Sequence, residues 1–86
     1  MGSAIIKVGD RTVTINNDGS VNVDGENAEE MTKVYQGLAN AFYSRFYVPS
    51  WCNAVADWMV ENFKARGKEA EVVEYEKLPE GPGIIY

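Results

Sequence analysis

The sequence predicts an α+β domain with a mostly antiparallel sheet and two helices packed on one of its faces, in the order β-β-β-α-α-β. Three observations carry this. Residues 4–24 alternate apolar and polar, with turn residues at Gly9-Asp10 and Asn17-Asp18-Gly19. Two runs with helical periodicity follow, divided at Pro49, and "EAEVVEYE" then returns to alternation. At 86 residues, with no repeat or linker, the chain forms one compact domain over 1–86.

"AIIKV" and "RTVTIN" are two residues apart, the spacing of a tight hairpin with a positive φ at glycine. Such a turn sets Val8 opposite Arg11 and Ile6 opposite Val13. Ala4, Ile6, Val8, Val13 and Ile15 then share an apolar face, with Ile5, Lys7, Thr12 and Thr14 on the other. A two-residue Asp-Gly turn would next set Ile15 opposite Asn22, whereas a three-residue loop of Asn17, Asp18 and Gly19 sets it opposite Val21 and Val13 opposite Val23. A slip of one residue moves every side chain to the wrong face, so the three-residue loop is expected, with Gly19 left-handed. The meander spans 4–24.

The first helix is expected over 28–47, with Asn27 as cap and Glu30 returning the bond of a capping box. Met31, Val34, Tyr35, Leu38, Phe42 and Phe46 make its apolar stripe. Gly37, Ala41 and Ser44 form a narrow row of small residues whose expected neighbour is the second helix. Pro49 breaks the helix at Val48-Pro49. Ser50 caps a second helix over 50–66, which Gly67 stops. Trp51, Cys52, Val55, Trp58, Met59 and Phe63 are its inward face, and Asn53, Asp57, Glu61 and Lys64 its solvated one. The strand at 69–76 is expected beside the first, with Val73 and Tyr75 inward and Ala70, Val72 and Glu74 outward. An apolar tail, 78–86, completes the core.

Composition narrows the chemistry. The sequence has no histidine and one cysteine, Cys52, so internal disulfides are excluded and the usual zinc sets and neutral-pH base lack their commonest partner. Cys52 is read as a buried thiol. Asp57 and Glu61, one turn apart, are read as a solvated helix face. No phosphate cradle or calcium loop is present, and no catalytic, cofactor-binding or metal residue is assigned. The net charge of −5 and scattered Lys and Arg disfavour direct nucleic-acid binding. No run of about 20 apolar residues would span a membrane, and no signal-peptide h-region is seen, so a cytoplasmic location is expected.

What remains is a protein-binding module without catalysis, a small acidic inhibitor or adaptor that occupies a basic groove of a protein partner. Its size, charge and class are similar in type to those of phage-encoded anti-defence inhibitors, the anti-CRISPR proteins included, although no motif links them. A self-associating subunit, such as a homodimer, and a small-ligand binder with a pocket between helices and sheet at Tyr35, Tyr43 or Trp58 are the alternatives. Six of the ten aromatic residues lie between Ala41 and Trp58. Four sit on the two apolar stripes, whereas Tyr43 and Tyr47 lie off them with Arg45 at the border, a composition enriched at interfaces. The candidate partner-binding residues are therefore Tyr43, Arg45, Tyr47, Glu71, Glu74 and Glu76, the glutamates also guarding an edge strand.

Overall fold

The computed structural model describes residues 3–46 and 51–76. Tyr47, the break at Val48-Pro49, the Ser50 cap, the Trp51 side chain and the tail lie outside the described residues. Four strands, β1 (Ser3–Val8), β2 (Arg11–Asn16), β3 (Val21–Asp24) and β4 (Ala70–Glu74), and two helices, α1 (Ala28–Arg45) and α2 (Trp51–Ala65), follow the predicted order. The sheet runs β3-β2-β1-β4 with antiparallel pairings. Both helices cover one face, α1 over β3 and α2 over β1 and β4. No helix among the described residues is long and apolar enough to cross a membrane.

Both hairpin registers are the expected ones. Val8 faces Arg11 across the Gly9-Asp10 turn. Gly9 has φ +59°, and among described non-glycine residues only Asn27 has a positive φ, so the turn follows the II′ pattern that matches strand twist. Ile15 faces Val21, and Asn16 and Ser20 close a loop of Asn17, Asp18 and Gly19, the last at φ +99°. Asp18 fastens this loop, accepting from the Ser20 N–H at 2.9 Å and the Ser20 hydroxyl at 2.7 Å. These bonds, the hydroxyl's foremost, hold its carboxyl below the usual range. The register buries Ala4, Ile6, Val13 and Ile15 completely.

Helix α1 starts where predicted but by another device. Asn27 is left-handed, with φ 58° and ψ 40°, and its side chain makes no cap bond, so the capping box does not form. Only three residues separate β3 from α1. Reversing the chain in that span takes positive φ at both Gly25 and Asn27, and asparagine tolerates this conformation best among residues with a Cβ. The Arg11 guanidinium donates to the Glu26 carbonyl beneath the turn.

The inward line of α1 is Tyr35, Ala39 and Phe42, with Met31 and Leu38 half-buried beside it. Two members of the expected stripe are not core. Val34 is 49% exposed because it lies about 100° round the helix from Tyr35. Phe46 is 47% exposed because the helix ends at Arg45 and Phe46 is already extended, ending α1 short of residue 47. Gly37, Ala41 and Ser44 face solvent, and nothing comes within 4 Å of a methyl added at Gly37. The row of small residues is thus not the seam with α2. Aromatic rings fill that seam instead: Tyr35 stacks on Phe63 at 5.5 Å, and Phe42 meets Trp58 at 5.6 Å and Phe46 at 4.9 Å.

Helix α2 buries Cys52, Val55, Ala56, Met59 and Val60, with Trp58 and Phe63 half-buried. Gly67, at φ +84°, closes it with the Lys68 N–H on the Phe63 carbonyl and the Gly67 N–H on that of Lys64, a Schellman arrangement.

Strand β4 pairs beside β1, as expected, and Glu74 is outward as expected, but the faces are inverted over Ala70–Val73. Ala70 is buried and Val72 packs on the core, whereas Val73 is 57% exposed. The cause is a β-bulge. Val8, Lys7 and Ile6 face Ala70, Glu71 and Val72 in regular order, but Ile5 faces Glu74, leaving Val73 as the extra residue. Outward Val72 therefore does not meet outward Ile5; Glu74 does.

Candidate functional site

An open sheet edge displays unpaired backbone donors and acceptors, and the two edges of this sheet differ in what covers them. On β3, the Val21 N–H donates to Gln36 Oε1 at 2.9 Å and the Val23 N–H to Thr32 Oγ1 at 3.1 Å. Gln36 also donates to the Gly19 carbonyl at 2.8 Å. Thr32 and Gln36 lie one turn apart on α1, so the helix caps this edge with its own side chains.

The β4 edge has no such cover among the described residues. Gly9 N–H donates to the Glu69 carbonyl at 2.9 Å in the same register as the pairs that follow. Bonded pairs alternate in an antiparallel ladder, so Lys7 and Glu71 form the next one, and the backbone groups of Ala70 and Val72 point to the free side. Along this edge run exposed Glu71, Val73, Glu74 and Tyr75, the last 48% exposed.

Two posts on α2 hold the end of the strand. Asn53 accepts from the Glu76 N–H at 2.7 Å and donates to the Glu76 carbonyl at 3.1 Å, and one turn on Asp57 accepts from the Tyr75 hydroxyl. This bond, more than burial, pushes the Tyr75 pKa up. Asn53 and Asp57 were expected to face solvent. Asn53 is instead half-buried, and both dock the chain leaving β4. Beside the start of β4 is a cleft of about 520 Å³, lined by Lys7, Lys64, Lys68, Glu69 and Glu71.

The five expected contact residues that are described do not form one patch. Glu71 and Glu74 stand exposed on β4. Glu76 is half-buried: its carboxylate accepts from the Asn17 amide at 2.7 Å and the Cys52 thiol at 3.0 Å, tying the end of β4 to the β2–β3 loop and α2. Tyr43 and Arg45 belong to α1, over the opposite edge of the sheet. Tyr43 is half-buried, its ring 3.6 Å from where a methyl on Gly19 would stand and edge-on to Phe42 at 6.1 Å. Burial, then Cys52 and Asp18, push its pKa up. It lids the top of the core. Arg45 is exposed in the last turn, where a cation suits the helix dipole, and Tyr47 lies outside the described residues.

Val73, Tyr75 and Asn53 were not singled out as contact residues. Unusual hydrophobicity at the strand end was the available signal for the first two; nothing in the sequence marks Asn53. No group of three Asp, Glu or Cys able to hold a metal occurs among the described residues. No family model, curated protein or solved structure matches the chain.

Proposed function

We propose that this chain is a small non-enzymatic protein-binding domain, an inhibitor or adaptor, that engages its partner by adding a strand of the partner to β4. The observation that carries this is the asymmetry of the two edges: α1 side chains accept from the Val21 and Val23 N–H groups on β3, whereas among the described residues nothing pairs with the outward backbone groups of Ala70 and Val72, beside exposed Val73 and Tyr75. Strand addition takes its affinity from main-chain bonds and its specificity from alternate side chains. The net charge of −5 supports steering toward a basic surface, so association should slow as salt rises. A ligand pocket between helices and sheet has less support, since Tyr35, Phe42, Val55 and Met59 are buried with the inward strand residues in the layer where it would open.

The test places a photo-crosslinking phenylalanine analogue at Val73 and captures the partner from the source cytoplasm. Ala70→Pro then removes one outward N–H while sparing the β1 ladder, because proline is tolerated where its nitrogen faces solvent. Loss of capture with an unchanged circular dichroism spectrum is the expected result. Capture that survives Ala70→Pro, or crosslinks from Tyr43 rather than Val73, would remove the β4 site. Turnover of a substrate by the purified protein would overturn the class.

A further inference from the structure

We infer that the strand accepted by β4 is polar in charge: a short extended segment, antiparallel to β4, with cations in its N-terminal half, a carboxylate at its C-terminal end and small aliphatic residues at alternate positions. This rests on the β4 reading above and names the chemistry of the partner. An antiparallel strand beside β4 starts at Glu74 and finishes at Ala70. At its start it meets Glu74, which lies opposite Ile5 with no cation facing it across the ladder. At its finish it meets the cleft where Lys7, Lys64 and Lys68 gather, with Lys7 opposite Glu71. Lys64 lies in the last turn of α2, Lys68 in the connection from α2 to β4 and Lys7 on β1, so three segments bring the lysines to one end of the edge. Glu69 and Glu71 line the same cleft and offset part of that charge, which leaves room for one carboxylate. Between these ends, Ala70 and Val72 face the helix layer and call for small aliphatic side chains, while positions beside Glu71 face the open side.

A second copy of β4 fits less well: antiparallel pairing about Glu71 sets the two Glu71 side chains opposite each other, and pairing about Val72 sets Glu74 opposite Ala70 rather than a cation.

Synthetic seven-residue peptides with blocked ends test this on the full chain. The probe is Lys-Val-Lys-Val-Thr-Val-Glu; one control reverses this order to Glu-Val-Thr-Val-Lys-Val-Lys, and another carries prolines at the second and fourth positions. Amide exchange at Ala70 and Val72 is followed by NMR during titration. The probe should protect both amides and bind about tenfold more tightly than the reversed peptide, the scale of two exposed charge pairs turned repulsive. Lys7→Glu with Lys68→Glu should lower that preference. Equal protection of Ala70 and Val72 by both valine peptides would remove the charge polarity and leave strand addition standing. Binding without protection of these amides, equal binding of the proline peptide, or no binding would overturn the proposal.

Discussion

Phe42→Ala and Phe46→Ala, made side by side, separate two residues that share one helical line. Phe42 is 6% exposed and touches the rings of Tyr43, Phe46 and Trp58; Phe46 is 47% exposed beyond the helix end. Truncating a buried phenylalanine removes its transfer free energy and leaves a cavity, about 3–5 kcal/mol in all. Phe46 has only about half of a transfer energy of roughly 1.5–3 kcal/mol to lose and leaves no closed cavity, so about 1 kcal/mol is expected. A domain of this length has a total stability of roughly 4–13 kcal/mol, so Phe42→Ala could unfold it. Phe42→Leu, expected to cost about 1–2 kcal/mol, keeps the comparison measurable. Urea melts by tryptophan fluorescence supply the values, a slope of about 1 kcal/mol per M turning the Phe42→Ala loss into a midpoint shift of about 3–5 M. Equal losses at the two positions would refute the assignment of Phe46 to the surface.

Gln36→Ala should cost about 1–3 kcal/mol by leaving the Val21 N–H without its acceptor, and hydrogen exchange should quicken at Val21 while the Ala70 amide is unaffected. Gly37→Ala, in open helical space, should stabilise by about 0.5–1 kcal/mol. Gly19→Ala, at φ +99°, should destabilise by about 1–2 kcal/mol; the same sign in thermal melts of both would contradict the turn geometry. Tyr35 and Tyr43, pushed up by burial foremost, and Tyr75, pushed up by its bond to Asp57, favour the neutral phenol when folded. Their stabilisation is complete below the ordinary tyrosine value near 10 and is lost as pH rises through the higher folded values, so melts should soften above pH 10 while tyrosinate absorbance appears late. Asp18 has the opposite sign: its contribution is present above the ordinary carboxylate value and lost as pH falls through the lowered one.

Sequence pattern sufficed where one local rule acted alone. The Ile15–Val21 register followed from keeping a single apolar face, and the left-handed glycines at 9, 19 and 67 followed from turn and cap chemistry. It failed where two rules competed. At Asn27, the capping preference lost to the need to reverse the chain within three residues. At Phe46, periodicity continued past the point where the helix stopped. Glu76 was read as a surface charge because the residues that hold it, Cys52, Asn53 and Asn17, lie 24, 23 and 59 positions away. No local pattern carries that information.

The bulge at Val73 joins the misread stretch to the proposed site. Counting inward positions back from Tyr75 and forward from Ala70 gives opposite faces, and each count holds on its own side of the inserted residue: Ala70 and Val72 meet the core, and the Tyr75 hydroxyl reaches α2. The bulge also bends the edge and limits the regular ladder to Ala70–Val72, a length that discourages long edge-to-edge pairing. With so few main-chain bonds available, and each contributing about 1 kcal/mol net, backbone pairing alone could not discriminate among extended chains. On the proposed reading, selection falls to the side chains at the two ends of β4, Glu74 at one and the lysine cleft at the other, so charge order along a partner strand would decide more than its total charge.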